Sequence, residues 1–397
     1  MKKIAYFEWL KIVRDWKTRV IALGFLLFFG TFSLLYRQQE VVLPVMQLRG
    51  EYADAQQIFR LIPDQHFEGE TGEDVQRALG RNATLIGLNQ YILAQQEGNT
   101  VSGVEEVVSD YLSNGRQIAE NNQFLYNATE FESLNLLKEV YLPAEEEIEK
   151  DLKFYEALEA DDLNIEWNPL ASSQILKQQV ELVTGVILFI FIALLAGDQF
   201  TRDQVKNWSV TQGIPISWKR QWRSRSLMLW GIIWSVTLLG VVTSYLGSLF
   251  FETSGTLNYP VPIYLNQTTE YLPIWQYTLI LLGSGMILSF IVLLIANGLS
   301  WIIRNIYLTI LLVTGLYFLP AIGGQLTSVS SWQPSFYFNI QQVVQGTSAR
   351  LYGLEAIEIW KLPIVLFILW VILELAFKYI FNLIPTQTLG LKRRKSL

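Results

Sequence analysis

The stretch Gly197–Arg225, GDQFTRDQVKNWSVTQGIPISWKRQWRSR, decides how the chain is read. It is a short polar loop between two apolar runs of membrane length. Arg202, Lys206, Lys219, Arg220, Arg223 and Arg225 stand in it against only Asp198 and Asp203. Basic residues close to membrane ends are retained on the cytoplasmic side, so this loop sets the topology. Its first half is expected to wind as a short helix, after which Pro215 turns the chain. A polar helix held there between two spans offers a grip to a machine outside the membrane.

Bulk composition points the same way. Of 397 residues 51% are hydrophobic, with 13 Trp and 22 Phe, and several apolar runs reach the roughly 18–20 residues that span hydrocarbon. The absence of cysteine excludes disulfides and thiolate metal sites. His66 is the single histidine, which excludes His-cluster metal sites and argues against ordinary triad chemistry, and no metal is expected. Residues 37–174 hold 9 basic and 26 acidic residues, whereas the rest of the chain holds 21 and 10. This partition suggests an acidic domain outside and a basic rim inside.

The expected fold is an all-α integral membrane protein with six spans. Residues 1–18, carrying Trp9, Arg14 and Trp16 among basic neighbours, suit an amphipathic helix in the cytoplasmic interface. The first span is 19–36, with no small-residue cleavage site after it. Residues 37–174 contain no membrane-length run and read as a mainly helical extracytoplasmic domain, with helical patterning over 73–96, 104–121, 128–141 and 144–158. The acidic run Glu145–Glu147 reads as a solvated face, or as a means of concentrating a cationic ligand. His66, beside Asp64 and Glu68, reads as a surface loop residue.

The second span is 175–197, the cytoplasmic loop 198–225 and the third span 226–250. An outer loop without basic residues, 251–272, leads to the fourth span, 273–298. An inner turn, 299–305, precedes the fifth span, 306–322. Residues 323–361, with clustered aromatics at 332–338, read as an outer re-entrant segment. The sixth span is 362–384, and the basic tail 385–397 belongs inside, so both termini are cytoplasmic.

No Walker A pattern and no HExxH or GxSxG site occurs, so this chain is not expected to be an enzyme. Glu374 and Lys378 lie four apart in the sixth span and can pair on one helical face. Intramembrane charges are functional candidates by default; an internal packing bridge is the alternative. Glu181 is expected at the interface. Gly283, Gly285 and their serine neighbours suit close helix packing.

The Gly197–Asp198 pair closing a span, the polar helix, the Pro215-Ile-Ser turn and the basic start of the next span together resemble the permease subunits of ABC-2-type transporters. The amino-terminal FEWLKIVRDWK (Phe7–Lys17) is similar to the interfacial helix of that family, and the six-span layout agrees. The resemblance implies that 198–225 contains a coupling helix docking a separate ATPase. Asp198, Arg202 and Asp203 would then contact the ATPase, with Phe200 and Trp208 anchoring the segment. The family often has a glutamate near Asp203 and a glycine near Asn207, and this chain has neither there.

The resemblance further implies ATP and Mg on two partner ATPase copies, no cofactor on this chain, and a second permease chain, identical or paralogous. The substrate would be a hydrophobic or amphipathic peptide, lipid or drug, exported across a bacterial plasma membrane. The other reading is a non-transporting receptor or signalling protein that binds a ligand through its acidic domain. A lipid-modifying membrane enzyme is weaker, since few polar residues beyond Asn339, Gln341 and Gln342 cluster at one interface. Nucleic acid is not an expected partner.

Overall fold

The computed structural model describes residues 6, 9–10, 12–36, 44–96, 105–166, 168–201, 218–251, 254–303, 305–323 and 330–383. The chain is mainly helical. Among the described residues, three helices are long and apolar enough to cross a membrane: Lys219–Phe250, Ile274–Ile303 and Ile359–Tyr379. A bent pair, Ser172–Thr184 and Val186–Ala196, adds a fourth if it counts as one span. Six uninterrupted crossings are therefore not what the described residues form, and each departure has a local cause.

The first expected span is two helices, α1 (Trp16–Gly30) and α2 (Phe32–Tyr36). Asp15 starts α1 by accepting from the Thr18 amide at 3.3 Å. The Thr31 hydroxyl then bonds the Leu27 carbonyl at 2.7 Å, competing with the backbone at the break. At 15 residues, α1 is about 22 Å long, short of the roughly 30 Å hydrocarbon layer. Five further helices build the acidic region: α3 (Val45–Leu61), α4 (Glu70–Gln96), α5 (Glu105–Tyr126), α6 (Leu134–Val140) and α7 (Glu145–Ala160). Helix α3 lies where sequence patterning suggested none, and α6 is shorter than expected.

Helices α8 (Ser172–Thr184) and α9 (Val186–Ala196) meet at 47°. The break falls at Gly185, whose ψ of −148° is not helical, and Thr184 reinforces it by bonding the Val180 carbonyl at 2.8 Å. After α10 (Trp218–Phe251) the expected outer loop contains a hairpin, β1 (Pro260–Leu265) and β2 (Thr268–Pro273), paired antiparallel. Asn266 and Gln267 form its two-residue turn with φ of 52° and 64°, the conformation that matches strand twist. Helix α11 (Ile274–Ile303) follows, then α12 (Ile306–Gly315) and α13 (Leu319–Gly323) with a 3₁₀ turn between them. Short helices α14 (Ile340–Val344) and α15 (Thr347–Tyr352) precede α16 (Leu362–Leu383).

The largest core gathers α8, α9, α10, α11 and α16 around side chains such as Phe189, Phe191, Trp234 and Leu293. The acidic region has its own cores, one around Ile58, Leu79 and Leu125 and another around Leu48, Ile86 and Leu93. It is joined to the hairpin. The Lys153 ammonium bonds the Glu270 carboxylate at 2.9 Å and the Thr269 carbonyl at 3.2 Å, while Phe154 packs on Tyr259 and Tyr271. His66 contacts Ser133 at 2.7 Å and Glu132 at 3.1 Å, and so bridges two loops of the acidic region.

Helices α1 and α2 approach α10 closely where Gly240 leaves room for the Phe29 side chain and Ser33 meets Ser244. A Cβ on Gly240 would stand 2.4 Å from the Phe29 Cβ, and the Ser33 amide bonds the Ser244 hydroxyl at 3.1 Å. Gly240→Leu should cost about 1–3 kcal/mol through overpacking, read as a lowered unfolding temperature in detergent. Gly231→Ala, where a Cβ meets nothing within 4 Å, should leave that temperature the same or raise it slightly, since alanine favours the helix over glycine.

In the acidic region the Asp151 side chain is exposed, yet desolvation by the surrounding protein raises its carboxyl to about 6, opposed by Lys150 and helped by Glu147 and Glu51; screening by solvent keeps the effect on stability small. Its ordinary value is 3.8, so between the two values the folded state holds a proton that the unfolded state has lost. This contribution to stability therefore declines as pH rises through that window. Hydrogen exchange of α7 should show more protection at pH 4.5 than at pH 7, and Asp151→Asn should flatten the difference.

Candidate functional site at the basic end of the bundle

The loop that decides the sequence reading leaves α9 and returns as α10, and its described ends are tied to the bundle. Gly197 ends α9 with its amide bonded to the Ala193 carbonyl at 2.9 Å. The next residues turn onto α11. Ser300 is the anchor: its hydroxyl accepts from the amides of Phe200 at 3.3 Å and Thr201 at 3.4 Å, and its carbonyl accepts from the Thr201 hydroxyl at 2.9 Å. Amides that have left one helix are thereby satisfied by another, as a low-dielectric setting requires.

The returning strand of the loop closes the same knot. Arg225 on α10, 1% exposed, donates to the Gln199 carbonyl at 3.0 Å, with its guanidinium 4.6 Å from the Phe200 ring centre. Its charge is thus held by a carbonyl and an aromatic face. Trp222, one turn earlier, bonds the Leu294 carbonyl of α11 at 2.9 Å and packs on Phe377 of α16 with ring centres 4.7 Å apart. Asn297 reaches Ser226 at 2.8 Å. Phe200, Trp222, Leu294, Trp301 and Phe377 form one buried cluster, so three helices and the turn after α9 converge here.

Two of the expected docking residues, Asp198 and Phe200, are buried in the bundle. Asp198 is 3% exposed and pairs with Lys17 of α1 at 2.9 Å. Buried in this way it joins α1 to the end of α9 and presents no surface to an outside partner. Phe200 is likewise buried. Arg202, Asp203 and Trp208 lie outside the described residues. Of the amino-terminal residues, Trp9 and Trp16 are 43% and 75% exposed and Arg14 is also exposed, which leaves their rings and charge free to meet an interface.

The charge pair expected inside the sixth span is made differently. Glu374 of α16 takes a bidentate contact from Arg223 and a 2.9 Å contact from Lys219, both on α10. Lys378, on the same helix as Glu374, is exposed. An i,i+4 contact holds two long side chains of one helix together for little gain. Arg223 reaches across with a planar fork that matches both carboxylate oxygens. The bridge thereby clamps α10 to α16 at their basic end.

A second polar cluster lies at the bend of α8 and α9. Glu181 is 7% exposed rather than interfacial. It accepts from the Tyr277 hydroxyl at 2.7 Å and from the Gln345 amide at 3.3 Å, which brings α8, α11 and α14 together. In the sequence Glu181 stands between Lys177, Gln178 and Gln179 on one side and the apolar run from Val186 on the other. Its hydrogen-bond donors come from residues 96 and 164 positions away, which local pattern does not reach.

Comparison of the chain with protein-family models, with curated proteins and with solved structures finds no match. Fold and site define a class: a mainly helical protein with apolar helices able to cross a membrane, knotted at a basic end.

Glu374→Gln would leave Arg223 and Lys219 without their carboxylate. Because both cations are partly solvated, the expected cost is about 1–3 kcal/mol, less than for a fully buried pair, measured by thermal unfolding in detergent. Adding Arg223→Gln should restore part of the loss. Lys378→Gln should change stability by less than about 0.5 kcal/mol.

Proposed function

We propose that this chain is the permease subunit of an ABC-2-type exporter in a bacterial plasma membrane, driven by ATP that separate subunits hydrolyse. The observation that carries the reading is the double anchoring of the loop between α9 and α10. Phe200 and Thr201 hold its start to Ser300, and Arg225 holds its end to the Gln199 carbonyl. A force applied to residues 202–217 would thus reach α9, α10 and α11 together instead of being lost in a slack loop. Rigid-body movement of packed helices is how such switches work.

In this reading the pairs α1–α2, α8–α9 and α12–α13 each serve as one interrupted crossing. Together with α10, α11 and α16 they make six, with both termini cytoplasmic. Broken helices are tolerated at membrane depth where neighbours satisfy the freed backbone groups, and the Thr184, Ser300 and Arg225 contacts support this. Two ATPase copies carrying ATP and Mg would grip the loop, with Arg202, Asp203 and Trp208 as its contact residues. A second permease chain, identical or paralogous, would complete the pathway. The acidic outer region, clamped to the bundle through Lys153 and Glu270, suits release of a cationic amphipathic peptide by electrostatic attraction.

The test is co-purification of the tagged chain from its native host in gentle detergent, repeated with Asp203→Arg. A P-loop ATPase should accompany the wild type and be lost from the variant. If no ATPase appears in several detergents, the permease reading fails and ligand binding by the acidic region takes its place.

A further inference from the structure

Beyond the loop and its anchors, the bundle carries an apolar cleft. It lies between α10, α11 and α16 with a volume of about 410 Å³. Leu227 and Trp230 line it from α10, Ile287 and Phe290 from α11, and Phe367 and Trp370 from α16. Leu227, Ile287 and Phe367 are 58%, 43% and 60% exposed, so the cleft opens outward from the bundle. The one indole nitrogen of its wall with a bond in hand, that of Trp230, already donates to the Met286 carbonyl at 3.0 Å. The interior thus suits a hydrocarbon.

The cleft ends at the charged bridge. On α10, residues 219, 223, 227 and 230 follow one another at helical spacing on a single face; on α16, residues 374, 370, 367 and 363 do the same. Lys219, Arg223 and Glu374 therefore stand at the end of the groove that the apolar residues continue. From 363 to 374 the groove runs about 16 Å, roughly half of the hydrocarbon thickness, which is one leaflet. At its rim two cations share one carboxylate. Lys219 and Arg223 keep 36% and 49% of their side chains exposed, within reach of a further anion.

We propose that this cleft binds an anionic phospholipid, one acyl chain lying along Leu227, Ile287 and Phe367 and the phosphate held by Lys219 and Arg223. The surplus positive charge of the rim matches the single negative charge of a phosphodiester. A zwitterionic lipid brings its own cation to the same place and gains less. Basic pockets between helices on the cytoplasmic side favour anionic headgroups in this way. The proposal rests on the bilayer placement of α10, α11 and α16, and needs neither an ATPase nor transport.

Native mass spectrometry of the full-length chain, titrated with phosphatidylglycerol or phosphatidylcholine of identical acyl chains, tests it. The wild type should prefer phosphatidylglycerol by tenfold or more. Lys219→Gln, which leaves the Arg223–Glu374 pair intact, should reduce the preference about fivefold, the value of one cation near a membrane surface. The triple variant Lys219→Gln, Arg223→Gln, Glu374→Gln is neutral without an orphaned charge and should show no preference. Ile287→Trp, at an outward-facing position, should fill the cleft and lower uptake of both lipids. Equal binding of the two lipids by the wild type, or a preference that survives Lys219→Gln and the triple variant, would overturn the proposal. So would a wild-type dimer that Ile287→Trp dissociates without altering lipid uptake, because a second copy would then be the occupant. Loss of the ATPase partnership with the lipid preference intact would leave this site standing and remove only the transport reading.

Discussion

Backbone amides and carbonyls inside a bilayer have no water to bond, and a chain that stops being helical there must find partners in its neighbours. Where α9 ends, that demand is met by one serine and one arginine. Ser300 of α11 receives the Phe200 and Thr201 amides, and Arg225 of α10 takes the Gln199 carbonyl. These contacts bind three helices at one point, and Trp222 against Phe377 brings in α16. The rest of the bundle depends on this closure. Without it the α9 terminus would carry open backbone groups.

The same constraint explains the interrupted helices. Thr31 and Thr184 each return a hydroxyl to the carbonyl four residues earlier, beside a break that the bundle covers. At the bend below Thr184, Glu181 accepts hydrogen bonds from Tyr277 and Gln345. Buried carboxylates need such donors. The acidic region is fixed by different means, with Lys153 bridging to the hairpin and Phe154 packing on two tyrosines. The molecule is thus clamped at two levels, by ion pairs and aromatics at the acidic region and by backbone capture at the basic end.

Part of this was legible in the residues themselves. The long apolar runs of α10, α11 and α16, the helical character of the acidic region and the importance of the stretch 197–225 follow from periodicity and charge. The hairpin escaped because Pro260, Pro262 and the Asn266–Gln267 turn are weak strand signals, and two short strands gain stability from packing on α7 and α11 more than from propensity. Helix α3 escaped for a similar reason: its apolar face is Leu48, Ala55 and Ile58, too sparse a pattern until α4 lies against it. Glu374 stood out as an intramembrane acid, yet its neighbour in sequence was the wrong partner.

By itself the sequence determined which segments are apolar, where the charges collect, and that a helical acidic region interrupts the membrane segments, because hydrophobicity and charge are properties of single residues and short windows. Only the tertiary structure decided which charges meet. Lys378 is four residues from Glu374, but Arg223 and Lys219 hold it across 151 and 155 positions of chain, since α10 and α16 pack side by side and a guanidinium fork fits a carboxylate better than an ammonium on the same helix does. Asp198 and Arg225 likewise belong to the basic loop in sequence and to the buried interior in space. Burial depends on the helices that surround a residue, and no local pattern encodes those neighbours.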